Sequence, residues 1–273
     1  MGKFQRIYWK KNFDWENYAQ LYDKYSKPKD NYYEKSSYQL IQTIKLKDNA
    51  KIIDLGCGTG VMSKVLLKKY PKINILAIDL SEEMIFFYKK NFKKEIKNGQ
   101  IKVLQGNAER ISDLTNEQYD AVFISSALWD MEIKPLFKSL RSVLKNKGKI
   151  LFNLPALVVG KDRGFIYFIE HFFRKTLQSD IIYRRISVES IKEISNDCKL
   201  NLSYKKDYSF DLTKKNVESF FDVLRYRYPF ILFPKEMPYP EKFKRCSEIF
   251  NDSLRYIPKE GLKEEGTIFV IEK

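Results

Sequence analysis

The chain has 273 residues, 44% hydrophobic and 15% aromatic, so it can bury a large core and is not expected to be disordered. No apolar run approaches the ~20 residues of a membrane span, and the first residues lack an apolar signal core, so a cytoplasmic protein is expected. Cys57, Cys198 and Cys246 lie far apart, which argues against a disulfide framework or a zinc site and for a reducing compartment.

The formal net charge of +15 has two interpretations. It indicates either a genome rich in lysine codons or an anionic partner, such as nucleic acid, a membrane surface or an acidic protein. The lysines are spread along the chain and do not form one block, which favours the first interpretation. The charge alone therefore assigns no function.

Two helices are predicted at the start of the chain. Aromatic residues recur at spacings of three and four, on one face of a helix: Trp15, Tyr18, Tyr22 and Tyr25. Pro28 breaks this pattern, and a second helix is predicted from about residue 32 to residue 44. We therefore treat residues 1–46 as an N-terminal helical segment that covers the functional site.

Strands and helices alternate between residues 50 and 155. Strands are predicted for the apolar segments "KIIDL", "NILAIDL", "QIKVLQG", "YDAVFISSA" and "KILFNLP", with helices between them. Ser81, which precedes two acidic residues, predicts a helix N-cap. The segment "KNKG" predicts the turn that ends the helix before the fifth strand. This alternation predicts a parallel sheet with helices on both faces.

The pattern changes after Pro155. Two further strands are predicted, "KLNLSYKKDYSF" and "GTIFVIEK", which makes seven strands in all. The predicted core comprises residues 47–155, 187–212 and 264–273, and two helical insertions comprise residues 156–186 and 213–263. The long helix of the second insertion is predicted to end at Pro229. The predicted fold class is α/β, a doubly wound, mostly parallel sheet with an inserted helical cap.

The stretch "KIIDLGCGTG" carries the most specific signal. A strand, a glycine loop and a helix bind nucleotides, because the glycines admit the ligand and the helix N-terminus is electropositive. The dinucleotide pattern GxGxxG fails, since Val61 or Ser63 stands where its last glycine would be, and no GK[ST] follows. The pattern that remains is DxGxGxG: Asp54, Gly56, Gly58 and Gly60.

With this loop, the sequence resembles the class I S-adenosylmethionine-dependent methyltransferases, whose signature at the end of the first strand matches "DLGCGTG". By the order of its motifs, the resemblance extends from about residue 50 to residue 155. It implies a Rossmann-like fold and the transfer of a methyl group to a small molecule. It also implies S-adenosyl-L-methionine as the cofactor and S-adenosyl-L-homocysteine as the product.

The resemblance also suggests which residues bind the cofactor. Asp79, at the end of the second strand, can accept hydrogen bonds from both ribose hydroxyls. Asn107 stands where the family usually has an acid, and its amide oxygen can still accept from the adenine amino group. Met84 can pack on the adenine. The full predicted set is Tyr18, Tyr22, Tyr25, Asp54, Gly56, Cys57, Gly58, Gly60, Asp79, Leu80, Met84, Asn107, Ala108 and Ser125. No metal site is predicted.

The acceptor side is predicted at "FISSALWDM", after the fourth strand, because ligands bind beyond the carboxyl ends of such strands. Trp129 stands where many family members carry a histidine, which puts a general base there in doubt. Asp130 either orients the acceptor and takes its proton or is a solvated loop acid. His171, the one histidine of the chain, is a third catalytic candidate, although a histidine among aromatic residues is more often packed.

The stretch "LFNLPA" resembles the NLPY and NPPY signatures of methyltransferases that act on adenine or amide nitrogen. Those signatures follow the fourth strand, whereas Asn153–Pro155 follow the predicted fifth strand. Ala156 also stands in place of their stacking aromatic residue. These two differences disfavour a base-methylating enzyme.

The aromatic insertions either form a lid over an apolar or aromatic acceptor or build a small core of their own. Their arginines would suit a carboxylate or phosphate on that acceptor. The favoured function is a methyltransferase that acts on an oxygen or nitrogen nucleophile of a small molecule, and an acceptor bound to an acidic carrier protein is a variant of it. The alternatives are an RNA methyltransferase, although a nucleic-acid partner is disfavoured, and a cofactor-binding protein without turnover. The oligomeric state is not predicted.

Overall fold

The computed structural model describes residues 15–128, 131–177, 185–233 and 236–273. These residues fall into two units. The first, the sheet unit, comprises Tyr33–Leu154, Ile186–Tyr208 and Thr267–Lys273. The second, the helical unit, comprises the described residues of Met1–Tyr32, Pro155–Arg185 and Ser209–Gly266. Residues 33–46, which the sequence groups with the N-terminal helices, thus belong to the sheet unit.

The described residues contain seven strands, which join in one sheet. They are β1 (Lys51–Leu55), β2 (Asn74–Asp79), β3 (Ile101–Gln105), β4 (Tyr119–Ile124), β5 (Leu144–Pro155), β6 (Asn201–Leu212) and β7 (Leu262–Glu272). Their order is β3-β2-β1-β4-β5-β7-β6, and β1 to β5 pair in parallel. β7 runs antiparallel to β5. The Lys273 N–H donates to the Gly148 carbonyl, and further along β5 Phe152 stacks on Phe269, so one strand number rises as the other falls. The predicted α/β fold class, with a doubly wound and mostly parallel sheet, is confirmed.

Helices precede, connect and follow these strands. They are α1 (Trp15–Ser26), α2 (Tyr32–Ile41), α3 (Val61–Lys69), α4 (Glu82–Asn91), α5 (Lys93–Lys97), α6 (Ile133–Val143), α7 (Phe165–Leu177), α8 (Val188–Asp197), α9 (Lys214–Leu232) and α10 (Tyr239–Ser253). Short 3₁₀ helices span Ala108–Asp113 and Leu254–Tyr256. Ser81 is the N-cap of α4, as predicted, and its hydroxyl accepts from the Met84 N–H at 3.1 Å.

The central strands explain why the sheet forms. Ile52, Ile53 and Leu55 on β1 are fully buried, and so are the residues from Ala121 to Ile124 on β4. Near-continuous apolar strands of this kind are stable only where both faces of a sheet are covered. The central strands therefore gain their stability from apolar burial, and their polar residues lie at or next to the strand ends.

Two predicted boundaries are wrong. "KNKG" lies inside β5, which begins at Leu144 directly after α6. Lys147 adopts a positive φ of 65°, and the register against β4 shifts between Tyr119 and Ala121. The predicted turn is therefore a local irregularity within the strand and does not precede it. Helix α9 continues through Pro229 to Leu232. Pro229 has no N–H to donate to the Arg225 carbonyl, so the helix continues with one backbone hydrogen bond missing near its end.

The helical unit has an aromatic core of its own. Tyr32 stacks on Phe220 with ring centroids 4.8 Å apart, and Tyr25 stacks on the same ring at 5.2 Å. A second group of rings surrounds Phe250, which is fully buried. Its neighbours, at centroid distances of 4.8–5.5 Å, are Phe173, Phe221 and Tyr228. The aromatic residues of both insertions thus build a shared core within this unit. Within the described residues, no helix combines the length and apolar character needed to cross a membrane.

Candidate active site

The register of the sheet places four loops at one edge. Leu55 lies opposite Ile78 on β2, and Asp79 lies opposite Gln105 on β3. On the other side of β1, Asp54 lies opposite Phe123 on β4. The segments that follow β1, β2, β3 and β4 are therefore neighbours. The sheet order reverses between β1 and β4, which is the point where open α/β sheets form a binding crevice.

The glycine loop after β1 folds back over the end of β2. The Gly56 and Cys57 N–H groups donate to the Ile78 carbonyl at 2.8 and 3.0 Å. The Gly58 N–H donates to Asp79 Oδ2 at 2.8 Å. Gly56, Gly58 and Gly60 all have positive φ angles, of 69°, 52° and 103°. A side chain at Gly56 would place its Cβ 2.8 Å from the Ala127 Cβ, so both backbone angle and space require glycine there.

Asp79 connects the loops after β1 and β2. Its Oδ2 atom accepts from Gly58, and its Oδ1 atom accepts from the Ser81 N–H at 3.0 Å. Its main-chain carbonyl accepts from the Gly106 N–H at 2.8 Å, which adds the loop after β3. A carboxylate oxygen can accept more than one hydrogen bond, so these contacts are compatible with a ligand hydroxyl at the same group. The next residue, Leu80, is 42% exposed and offers an apolar surface beside that carboxylate.

Asp54 supports the glycine loop from within the sheet unit. Its side chain is buried, the Ser63 hydroxyl donates to its Oδ2 atom at 2.6 Å, and the Tyr88 hydroxyl donates to Ser63 at 2.6 Å. Burial raises the pKa of Asp54 to about 7, although the Ser63 hydrogen bond opposes this shift. Burial also raises the pKa of the Cys57 thiol well above its ordinary value, so the thiol stays protonated.

The loop after β3 contains the other predicted adenine contacts. Asn107 caps the short 3₁₀ helix, and its Oδ1 atom accepts from the Glu109 N–H at 3.0 Å. The second lone pair of that amide oxygen remains for a ligand donor. Ala108 is half-buried, and Met84 is buried in the first turn of α4. The roles of these residues stay predictions.

A cluster of hydroxyl groups and one amide lies at the ends of β4 and β5. Ser125 and Ser37 have their hydroxyl oxygens 3.0 Å apart. The Ser126 N–H donates to Asn153 Oδ1 at 3.0 Å. The Asn153 Nδ2 group donates to the Ser36 hydroxyl at 2.7 Å and to the Tyr208 hydroxyl at 3.2 Å. Of this cluster, the sequence predicts Ser125 and Ser126, which lie in the stretch "FISSALWDM" after the fourth strand. A single amide in the apolar run "KILFNLP" is the signal that could have found Asn153.

The remaining predicted residues lie elsewhere. Trp129 and Asp130 fall outside the described residues. Tyr18, Tyr22 and Tyr25 are on α1 in the helical unit, where the Tyr25 hydroxyl accepts from the Tyr32 N–H at 3.0 Å. His171 is exposed on α7, with its ring 5.9 Å from that of Tyr167. The proposed parts of these six residues in binding or catalysis stay predictions.

Comparison with known protein families assigns the segment that contains these loops to a class of enzyme domain. Residues 52–148 match the model of a family described as a methyltransferase domain. The matched segment contains the glycine loop, Asp79 and Asn107. With the confirmed fold and the DxGxGxG loop, the match identifies this segment as a class I S-adenosylmethionine-dependent methyltransferase domain.

Curated relatives and solved structures agree with this class. A malonyl-[acyl-carrier protein] O-methyltransferase 2 from Ilyobacter polytropus is 35% identical over 150 residues, 54% of this chain and 53% of the relative. A malonyl-[acyl-carrier protein] O-methyltransferase from Priestia megaterium is 30% identical over 148 residues, 53% of this chain and 50% of the relative. The chain thus spans about half the length of these relatives. The structure of phosphoethanolamine N-methyltransferase 2 from Haemonchus contortus shares the fold, with a TM-score of 0.60 and 15% identity over 98% of this chain and 60% of that chain.

Proposed function

We propose that this chain is an S-adenosylmethionine-dependent methyltransferase. The observation that carries the proposal is the geometry of the loops after β1 and β2. The Gly58 N–H donates a hydrogen bond to the Asp79 carboxylate, and the loop has no room for a side chain at Gly56. The segment "LGCGTG" contains no basic side chain, which suits a ligand without phosphate groups. Bound S-adenosylmethionine would supply a methyl group on a positively charged sulfur, ready for attack by a nucleophile.

The chain's own residues have defined tasks in this proposal. Asp79 accepts from the ribose hydroxyls, Leu80 packs against the adenine, and Asn107 accepts from its amino group. The backbone of Gly56 and Gly58 contacts the amino acid part. The residues after β4 then hold the acceptor in line with the methyl group, and alignment alone can supply a large part of the rate.

We further propose a carboxylate acceptor carried by an acidic protein. Two observations support this choice: the relatives named above are malonyl-[acyl-carrier protein] O-methyltransferases, and the chain has a net charge of +15. Opposite charges on the two proteins would accelerate their encounter. A carboxylate is already deprotonated at neutral pH, so it can attack the methyl group without a general base. An apolar or aromatic small acid remains the simpler acceptor of the same chemistry.

The first experiment separates cofactor binding from turnover. Calorimetry with S-adenosylhomocysteine is expected to show binding by the wild-type chain and a loss on the order of 10²-fold in Asp79→Ala, because two charge-assisted hydrogen bonds disappear. Asp197→Asn is the matched control, since this exposed carboxylate pairs with Lys134 in the same unit. Equal affinity of wild type and Asp79→Ala would overturn the assignment of the cofactor site.

The second experiment tests the acceptor. S-adenosylmethionine with a labelled methyl group is incubated with malonyl-[acyl-carrier protein], malonyl-coenzyme A or free aromatic acids, and the products are identified by mass spectrometry. The proposal expects a methyl ester on the carrier-bound malonyl group, with a kcat/KM that falls steeply as ionic strength rises. Transfer to free acids alone would reject the carrier and keep the methyltransferase.

A further inference from the structure

Asn153 is a buried, hydrogen-bonded residue that has no task in the proposed function. It is the fully buried amide near the end of β5, in the stretch that resembles a base-methylation signature. Its Oδ1 atom accepts from the Ser126 N–H at 3.0 Å. Its Nδ2 group donates to the hydroxyls of Ser36 at 2.7 Å and Tyr208 at 3.2 Å. A buried amide with three short hydrogen bonds to three different chain segments is a fixed point around which those segments are arranged.

The segment that Asn153 holds has an unusual backbone. Ser126 has a φ angle of 54°, in the left-handed region that residues with side chains rarely adopt. Such a conformation persists only where neighbouring groups compensate its cost. The bond from the Ser126 N–H to Asn153 provides that compensation, and the Ser126 and Ser36 hydroxyl oxygens lie 3.3 Å apart.

The next residue transmits this arrangement to the glycine loop. The position of a Cβ on Gly56 would be 2.8 Å from the Ala127 Cβ, so the turn after β4 lies directly against the loop after β1. The ends of β1, β4 and β5 are thereby connected in series by Gly56, Ala127, Ser126 and Asn153. The cofactor residues given tasks in the proposed function occupy the ends of β1, β2 and β3, and Ser125 is the one member of the wider predicted set that directly follows β4. The ends of β4 and β5 therefore remain for the acceptor.

We propose that Asn153 is a positioning residue for methyl transfer, one that sets the acceptor-side turn Ser125–Ala127 through the Ser126 N–H. The inference rests on the proposed methyltransferase function and adds the residue that aligns its acceptor side. In this assignment "LFNLPA" does not bind a nucleobase. Its asparagine acts on the backbone of the neighbouring strand's loop.

The test compares Asn153→Leu and Asn153→Asp with wild type, using malonyl-[acyl-carrier protein] as the acceptor probe. Leucine has a similar volume and forms none of the three hydrogen bonds. Aspartate can accept from the Ser126 N–H and from both hydroxyls. We expect the leucine variant to lose on the order of 10²-fold in kcat/KM for the acceptor, because a displacement of about 1 Å is sufficient for such a loss. The aspartate variant is expected to stay within about tenfold of wild type, and S-adenosylhomocysteine affinity within about threefold in both.

The control is Ser195→Ala. It removes the buried hydrogen bond that the Ser195 hydroxyl donates to the Ile191 carbonyl within α8, outside this cluster. It measures the cost of a lost buried bond as such and is expected to leave kcat/KM unchanged. A leucine variant with wild-type kcat/KM would overturn the proposal. If that variant fails to fold, Tyr208→Phe and Ser36→Ala, which each remove one partner of Nδ2, are expected to lower acceptor kcat/KM several-fold, and unchanged values overturn it.

A second readout needs no substrate. The hydrogen exchange of the Ser126 amide is expected to accelerate about tenfold or more in Asn153→Leu, whereas amides of β1 keep their protection. Unchanged exchange at Ser126 would overturn the positioning role even if the wild-type chain proves to be an active enzyme. Absence of turnover by wild type, with accelerated exchange in the variant, would reject the proposed function and retain the structural role of Asn153.

Discussion

The sheet unit and the helical unit use buried groups in opposite ways. In the sheet unit, buried polar side chains form hydrogen bonds with one another, as in the series from Tyr88 on α4 through Ser63 on α3 to Asp54 on β1. In the helical unit, the interior is made of packed rings, and a fully buried carboxylate, Glu264, is hydrogen-bonded through one of its two oxygens. The Glu264 Oε2 atom accepts from the Ile166 N–H at 3.3 Å, whereas Oε1 has no hydrogen-bond partner among the described residues.

This difference predicts which property a substitution changes first in each unit. Polar networks that are fully satisfied fix atoms in precise positions, which a site for group transfer requires. Aromatic packing provides much stability but tolerates changes in chemistry, because it depends mainly on volume. A substitution in the helical unit should therefore change stability first, and one at the strand ends should change binding or turnover first.

The largest expected effect is on the aromatic core. Phe250→Ala removes a ring in contact with Phe173, Phe221 and Tyr228, and leaves a cavity. We expect the free energy of unfolding of the helical unit to fall by about 3–5 kcal/mol. Hydrogen exchange should show the loss in the described residues of Pro155–Arg185 and Ser209–Gly266 and little change in β1 to β4. The control Phe86→Ala, at a ring 62% exposed, should cost less than about 0.5 kcal/mol.

An effect of similar size is expected from pH. Burial, with a smaller contribution from the charge of the adjacent Glu265, raises the pKa of Glu264 from an ordinary 4.5 to about 8, although the hydrogen bond from the Ile166 N–H opposes this shift. The native state therefore binds a proton that the unfolded chain releases above about pH 4.5. The free energy of unfolding should fall as pH rises from 5 to 8, by about 1.4 kcal/mol per pH unit for this group.

Urea unfolding of wild type and Glu264→Gln across that pH range provides the measurement. Glutamine stays neutral, so the variant should lose the Glu264 part of the slope. Asp54, whose pKa is raised to about 7, should contribute a slope of the same sign that ends near pH 7 and disappears in Asp54→Asn. A Glu264→Gln variant with the full wild-type slope would contradict a neutral buried Glu264.

The sequence predicts features that depend on local signals better than features that depend on contacts between distant segments. Apolar periodicity and "DLGCGTG" are local signals, and they correctly predict the strands, the doubly wound sheet and the methyltransferase class. The cluster around Asn153 depends on partners 27, 55 and 117 residues away, and no local pattern records such distances. Pro229 and "KNKG" mislead because tertiary packing tolerates a helical proline and a turn within a strand. The assignment of Trp129 and Asp130 to catalysis stays a prediction.

The smallest expected effect separates backbone strain from crowding at the glycine loop. Gly56→Ala and Gly99→Ala both place a side chain at a positive φ, of 69° and 80°, which costs roughly 1–2 kcal/mol of stability. At Gly99 a Cβ would meet no atom within 4 Å, whereas at Gly56 it would meet Ala127 at 2.8 Å. Gly56→Ala should therefore lose more stability than Gly99→Ala in urea unfolding, because crowding adds to the same backbone strain. Gly56→Ala should in addition lose about tenfold or more in S-adenosylhomocysteine affinity, because the crowded loop must shift. Equal affinity in the two variants would mean that the contact between the turn after β4 and the glycine loop is not needed for binding. The strand-end network would then serve the acceptor alone.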